Sequence, residues 1–114
     1  MSDVSREGPV GPRETKMYEQ EYKHSADLFK RALGQYTQAA NQYQQAEFKA
    51  VMDKALQVLN ETASELVRQN GRTELQKNNA KIAKDYQTFQ KDPANPDTLE
   101  KLNKDLDKAK KSIT

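Results

Sequence analysis

Residues 22–46 read YKHSADLFKRALGQYTQAANQYQQA, and the fold turns on this stretch. Tyr22, Phe29, Tyr36 and Tyr43 recur at a seven-residue spacing. Small or aliphatic side chains stand between them: Ser25 and Ala26, Ala32 and Leu33, Ala39 and Ala40, then Ala46. A seven-residue repeat places these rings on one stripe of a helix, and such a stripe must lie against something. With 34% apolar and 32% charged residues in 114, the chain folds only if its few apolar groups are gathered on stripes of this kind.

Outward from that stretch, no proline occurs between Arg13 and Gln69, and the only glycine there is Gly34. One glycine inside a helix costs about 1 kcal/mol relative to alanine, which does not end it. Met52, Leu59 and Leu66 form a second seven-spaced set, offset from the first because Tyr43 to Met52 spans nine residues. The offset fits a stutter within one long helix over about 13–69, roughly 80 Å at 1.5 Å per residue. It also fits a turn near 44–47. The continuous helix is the expectation carried forward.

Asn70-Gly71 closes that helix, with Arg68 suited to its negative end and Gly71 to a left-handed cap. Thr73-Glu-Leu-Gln76 has the form of a capping box and opens a helix over about 73–90. Asn79 interrupts its apolar face of Leu75, Ile82, Ala83, Tyr86 and Phe89, as a register-setting polar residue does. Pro93 and Pro96 break the chain again, and Asn95 can cap a last helix with Pro96 at its first position. That helix, about 97–111, carries Leu99, Leu102, Leu106, Ala109 and Ile113 at alternating spacings of three and four. The expected fold is therefore all-α: a long N-terminal helix and two shorter ones, in a helical bundle or coiled-coil hairpin. Residues 1–12, with Gly8, Pro9, Gly11 and Pro12, read as a flexible tail, and 13–114 as a single helical domain.

Composition narrows function. The chain has no cysteine, which excludes disulfides, zinc–thiolate sites, iron–sulfur clusters and a cysteine nucleophile. No apolar run approaches the ~20 residues of a membrane span, and the first residues lack the apolar core of a cleaved signal. The compartment stays open between the cytoplasm and export without such a signal. Net charge is +2, with residues 1–67 holding 8 Lys/Arg against 10 Asp/Glu and residues 68–114 holding 11 against 7. That imbalance is mild.

His24 follows Glu21 in a Glu-x-x-His pattern, but two-metal bundles need that motif twice, and there is no second histidine. No metal site and no cofactor are expected. Glu61 and Glu65 lie one turn apart without a cleft to tune them, and Ser25, Ser64 and Ser112 have no partner base, so no enzyme is expected. Lys101, Lys104, Lys108, Lys110 and Lys111 are interleaved with Asp105 and Asp107 and lack accompanying aromatics or arginines, which argues for a solvated face over nucleic-acid binding. Asn60-Glu-Thr62 matches a glycosylation acceptor but falls mid-helix.

If the first helix is continuous, its aromatic stripe projects past the two short helices that could cover it. The expected function is then protein–protein association through Tyr18, Tyr22, Phe29, Leu33, Tyr36 and Tyr43, with a second copy or a helical partner. The alternative is a self-contained four-helix bundle with a ligand, metal or nucleic-acid role.

Residues 80–106, AKIAKDYQTFQKDPANPDTLEKLNKDL, resemble the helix–turn–helix of type III secretion needle and inner-rod subunits through Pro93, Asn95, Pro96, Leu99 and Leu102. The stretch is also similar to the junction between tetratricopeptide repeats, through Ala83, Tyr86, Pro93 and Leu102. The first resemblance implies a bacterial secretion-associated subunit or chaperone. The chain departs from needle subunits in its ~55 helical residues before the hairpin and in lacking their long apolar C-terminal helix.

Overall fold

The computed structural model describes residues 12–113. The tail assigned to residues 1–12 lies outside these residues, except for Pro12, which opens the first helix. Four helices follow: α1 (Pro12–Thr37), α2 (Gln42–Asn70), α3 (Thr73–Lys91) and α4 (Pro96–Lys111). Among the described residues there is no strand.

The expected long helix is two helices, and the break falls at 38–41, neither absent nor at 44–47. The local chemistry explains the position. The last turn of α1 tightens through Gln38 N–H to the Gln35 carbonyl and Ala39 N–H to that of Tyr36, both at 3.2 Å. Asn41 then caps α2, its side-chain oxygen accepting from Gln44 N–H at 2.9 Å. Gln44 reciprocates by accepting from Ala40 N–H at 2.9 Å. This is the reciprocal logic of a capping box, worth about 1 kcal/mol for the cap residue.

The seven-residue spacing puts the offset at 44–47 only if Tyr43 belongs to the first stripe, and in the structure it belongs to α2. Nine residues at 100° each turn Tyr43 about 180° from Met52, so within α2 it points away from the core. Breaking the helix is favoured by burial. Tyr22, Phe29 and Leu33 are fully buried in the hairpin, and each such side chain contributes roughly 1.5–3 kcal/mol.

At the other boundaries Gly71 adopts φ 69°, and its N–H bonds the Val67 carbonyl at 2.9 Å. The Thr73–Gln76 capping box does not form. Thr73 already lies inside α3, and Arg72 takes the cap position without a side-chain bond. Asn95 caps α4 by accepting from Asp97 N–H at 2.9 Å, with Pro96 first in the helix.

Each helix packs on two neighbours: α1 on α2 and α4, and α3 on α2 and α4. Short connections and this closed ring make an antiparallel four-helix bundle, 52 × 25 × 20 Å. Its core is Tyr22, Ala26, Phe29, Ala32 and Leu33 from α1; Met52, Ala55, Leu59, Ala63 and Leu66 from α2; Leu75, Ile82, Tyr86 and Phe89 from α3; and Leu102, Leu106 and Ala109 from α4. Aromatic rings bridge the diagonal between α1 and α3. Phe29 meets Tyr86 edge-on with centroids 5.0 Å apart, and Tyr36 meets Phe89 at 5.8 Å.

Asn79 is buried among these groups and hydrogen-bonded through both its oxygen and its nitrogen. It accepts from the Tyr22 hydroxyl at 2.9 Å and donates to the Leu59 carbonyl at 2.9 Å, tying three helices together. Burial also pushes the Tyr22 hydroxyl up to about 12, so it stays a donor at ordinary pH.

Candidate functional site

The six residues expected to bind a partner do not share one surface. Tyr22, Phe29 and Leu33 are fully buried, and Tyr18 and Tyr36 are half-buried against the same core. Tyr43 stands apart at 87% exposed. The stripe therefore lines the inside of the bundle, and only its last ring faces water.

Tyr43 lies at the end of the bundle built by the 38–41 loop and the 92–95 turn. With 26 and 29 residues, α1 and α2 are longer than α3 and α4, which have 19 and 16. At the other end Thr15 of α1 hydrogen-bonds Asn70 of α2, and Arg72 joins Glu19 of α1 to the Ser112 carbonyl after α4. Between the 38–41 loop and the 92–95 turn runs an open groove of about 230 Å³ lined by Tyr36, Thr37, Gln45, Pro93 and Ala94. Tyr36 reaches it from the core side through its contact with Phe89. Phe48, one and a half turns along α2 from Tyr43, is half-exposed.

The tip is held in place by its own hydrogen bonds. The Thr37 hydroxyl donates to the Gly34 carbonyl at 2.7 Å, and the Asn41–Gln44 cap fixes the first turn of α2. The Asn95 and Thr98 side chains fix the facing turn, with Thr98 donating to the carbonyls of Asp92 and Asn95 at 3.0 and 2.9 Å. The charge pattern is equally specific. From Ala32 to Ala46, fifteen consecutive residues carry no charge, in a chain that is 32% charged. The first charge beyond the run, Glu47, lies one turn along α2 on the same side as Tyr43; interface centres in general are depleted in charge and enriched in aromatics. The sequence spacing does not bring Asn41, Gln44, Pro93 and Ala94 to one end; the two loops do. The Asn41-x-x-Gln44 pattern, which has the form of a capping box, was the signal that could have placed it.

The far end is an ionic clasp. The Arg72 guanidinium, three-quarters buried, donates to Glu19 on α1 at 2.9 Å, to Glu74 on α3 at 2.7 Å and to the Ser112 carbonyl after α4. Along the α1–α4 seam Lys30 pairs with Asp107 at 2.6 Å and Lys110 with Asp27 at 3.0 Å. His24 lies exposed beside an open groove of about 340 Å³ on that seam, with Gln20, Lys23, Asp27 and Lys110. Glu21 is not among the residues lining it. No group of three His, Asp or Glu able to hold a metal ion occurs among the described residues, and none of their helices is long and apolar enough to cross a membrane. Against protein-family models, characterised proteins and solved structures alike, the chain has no match.

Proposed function

We propose that this protein is a non-enzymatic helical association module that docks through the loop end of its bundle, with Tyr43 as the anchor. The observation that carries this reading is a tyrosine 87% exposed within fifteen consecutive uncharged residues, on the outer face of α2 at the bundle end that also holds the groove lined by Tyr36, Pro93 and Ala94. Tyrosine offers a large rigid ring at low entropic cost, which suits an anchor at a partly wet interface. The partner is another helical surface, a second copy of the chain being the simplest case. The likeness of residues 80–106 to secretion needle and rod subunits suggests the setting of a bacterial secretion-associated subunit or chaperone.

Sedimentation over a hundredfold concentration range tests this, comparing the parent with Tyr43→Asp. Reversible association of the parent that disappears in the variant, with the melting temperature unchanged, supports docking at this end. Equal association of the two proteins overturns it. A second reading, a ligand-binding closed bundle, gains support from the burial of the aromatic stripe, and the α1–α4 groove beside His24 is where such a ligand would lie.

A further inference from the structure

On the seam between α3 and α4 two carboxyl groups face each other below the surface. Asp85 and Asp105 are 6% and 7% exposed. The Lys81 ammonium reaches both, at 3.3 Å from Asp85 Oδ2 and 3.8 Å from Asp105 Oδ1. Asp105 Oδ2 is buried with no hydrogen-bond partner. Lys81, half-exposed, is the one ammonium in contact with both, and Lys101 attracts them only from farther off, which leaves two buried negative charges poorly balanced; an ionised oxygen with no donor is also costly to hold out of water. A single proton on the pair removes both difficulties, turning one carboxylate into a donor to the other.

We propose that Asp85 and Asp105 form a proton-held latch between α3 and α4, in which one shared proton joins the two helices and its loss loosens this hairpin. The surroundings agree. On the α3 side the pair meets Lys81. Lys84, Asp97 and Lys101 line the groove outside it. The charges on the other packed helices are engaged elsewhere: Asp27 and Lys30 of α1 with Lys110 and Asp107, and Asp53 of α2 with Lys49 and Tyr86. Burial, and then the neighbouring Asp85, push the Asp105 carboxyl up to about 7. Asp85 moves the other way, because hydrogen bonds from Asp105 and Lys81 outweigh its own burial.

The sign follows from linkage. A carboxyl raised in the folded state holds its proton there after the unfolded chain has released it, so folding stability falls as pH rises from about 4 to about 7 and then levels. The experiment is urea unfolding of the full chain between pH 5 and pH 8, with His24→Gln throughout to remove the single histidine, alongside amide hydrogen exchange of α3 and α4. The parent's unfolding constant should rise on the order of a hundredfold over that range, with exchange in α3 and α4 accelerating before that in α1 and α2. Asp105→Asn, which keeps a donor toward Asp85, should abolish the slope. If that variant fails to fold, Asp85→Asn should move the slope to lower pH by removing the neighbouring charge. A flat parent profile, or a slope unchanged in a folded variant, overturns the latch.

Discussion

The hydroxyl of Tyr22 on α1 donates to Oδ1 of Asn79 on α3 at 2.9 Å, across the diagonal of the bundle. Asn79 also donates to the Leu59 carbonyl on α2, so one buried amide fixes the relative heights of three helices. Sliding any of them by a turn would strand a polar group in the core, at about 1–3 kcal/mol.

Tyr22→Phe and Asn79→Leu should each destabilise the fold by about 1–3 kcal/mol, because each leaves the other's polar atom unsatisfied. The double variant should cost less than the sum by at least about 0.5 kcal/mol. Urea denaturation of the four proteins checks this, and strict additivity would mean that the two side chains act independently.

The buried and exposed members of the seven-spaced set should behave differently. Phe29→Ala should cost about 3–5 kcal/mol, since it empties a site packed against Tyr86. Tyr43→Ala should change stability by no more than about 0.5 kcal/mol. Thermal melts of the two variants make the comparison. Equal tolerance would place both rings on the outside.

Much of this was legible in the sequence. Asn70-Gly71, the Asn95-Pro96 start and the amphipathic last helix all follow from caps and spacing that depend on a few neighbouring residues. Asn79 was legible as a polar interruption of an apolar face, though its partners Tyr22 and Leu59 are distant in sequence. The break at 38–41 was harder to see, because Tyr43 falls at a seven-residue step from Tyr36 by coincidence. A helical period alone cannot distinguish a ring that continues a stripe from one that starts the next helix on its outer face. The groove between Tyr36 and Pro93 depends on two loops meeting at one end, which no local pattern encodes.

The cap that ends the ambiguity should itself be measurable. Asn41→Ala should cost about 1 kcal/mol through loss of the bond to Gln44 N–H. Amide exchange should show fraying confined to the first turn of α2. A loss of protection extending through α1 would point to a different role for the loop.

Acid should weaken the α1–α4 seam and the Arg72 clasp. The hydrogen bond from Lys110 holds the Asp27 carboxyl below the usual carboxylate range, and Arg72 does the same for Glu74. Both groups stabilise the fold above the ordinary carboxylate range and lose that contribution as pH falls through their lowered values. Lys110→Met should therefore bring acid unfolding to a higher pH, and added salt should narrow the difference from the parent. An unchanged acid midpoint would assign no role to the pair.

The closure of the α1–α2 hairpin is the central claim, and Thr15 and Asn70 report on it directly. Their side-chain oxygens lie 3.4 Å apart in the closed bundle. In a continuous helix they would be separated by 55 residues, roughly 80 Å. The chain has no cysteine, so Thr15→Cys and Asn70→Cys can be spin-labelled without competing sites. Pulsed dipolar spectroscopy should give a short distance, about one interhelical spacing of 10 Å plus the label arms. A distribution centred near the full helical length would contradict the closed bundle, and with it the inward-facing aromatic stripe.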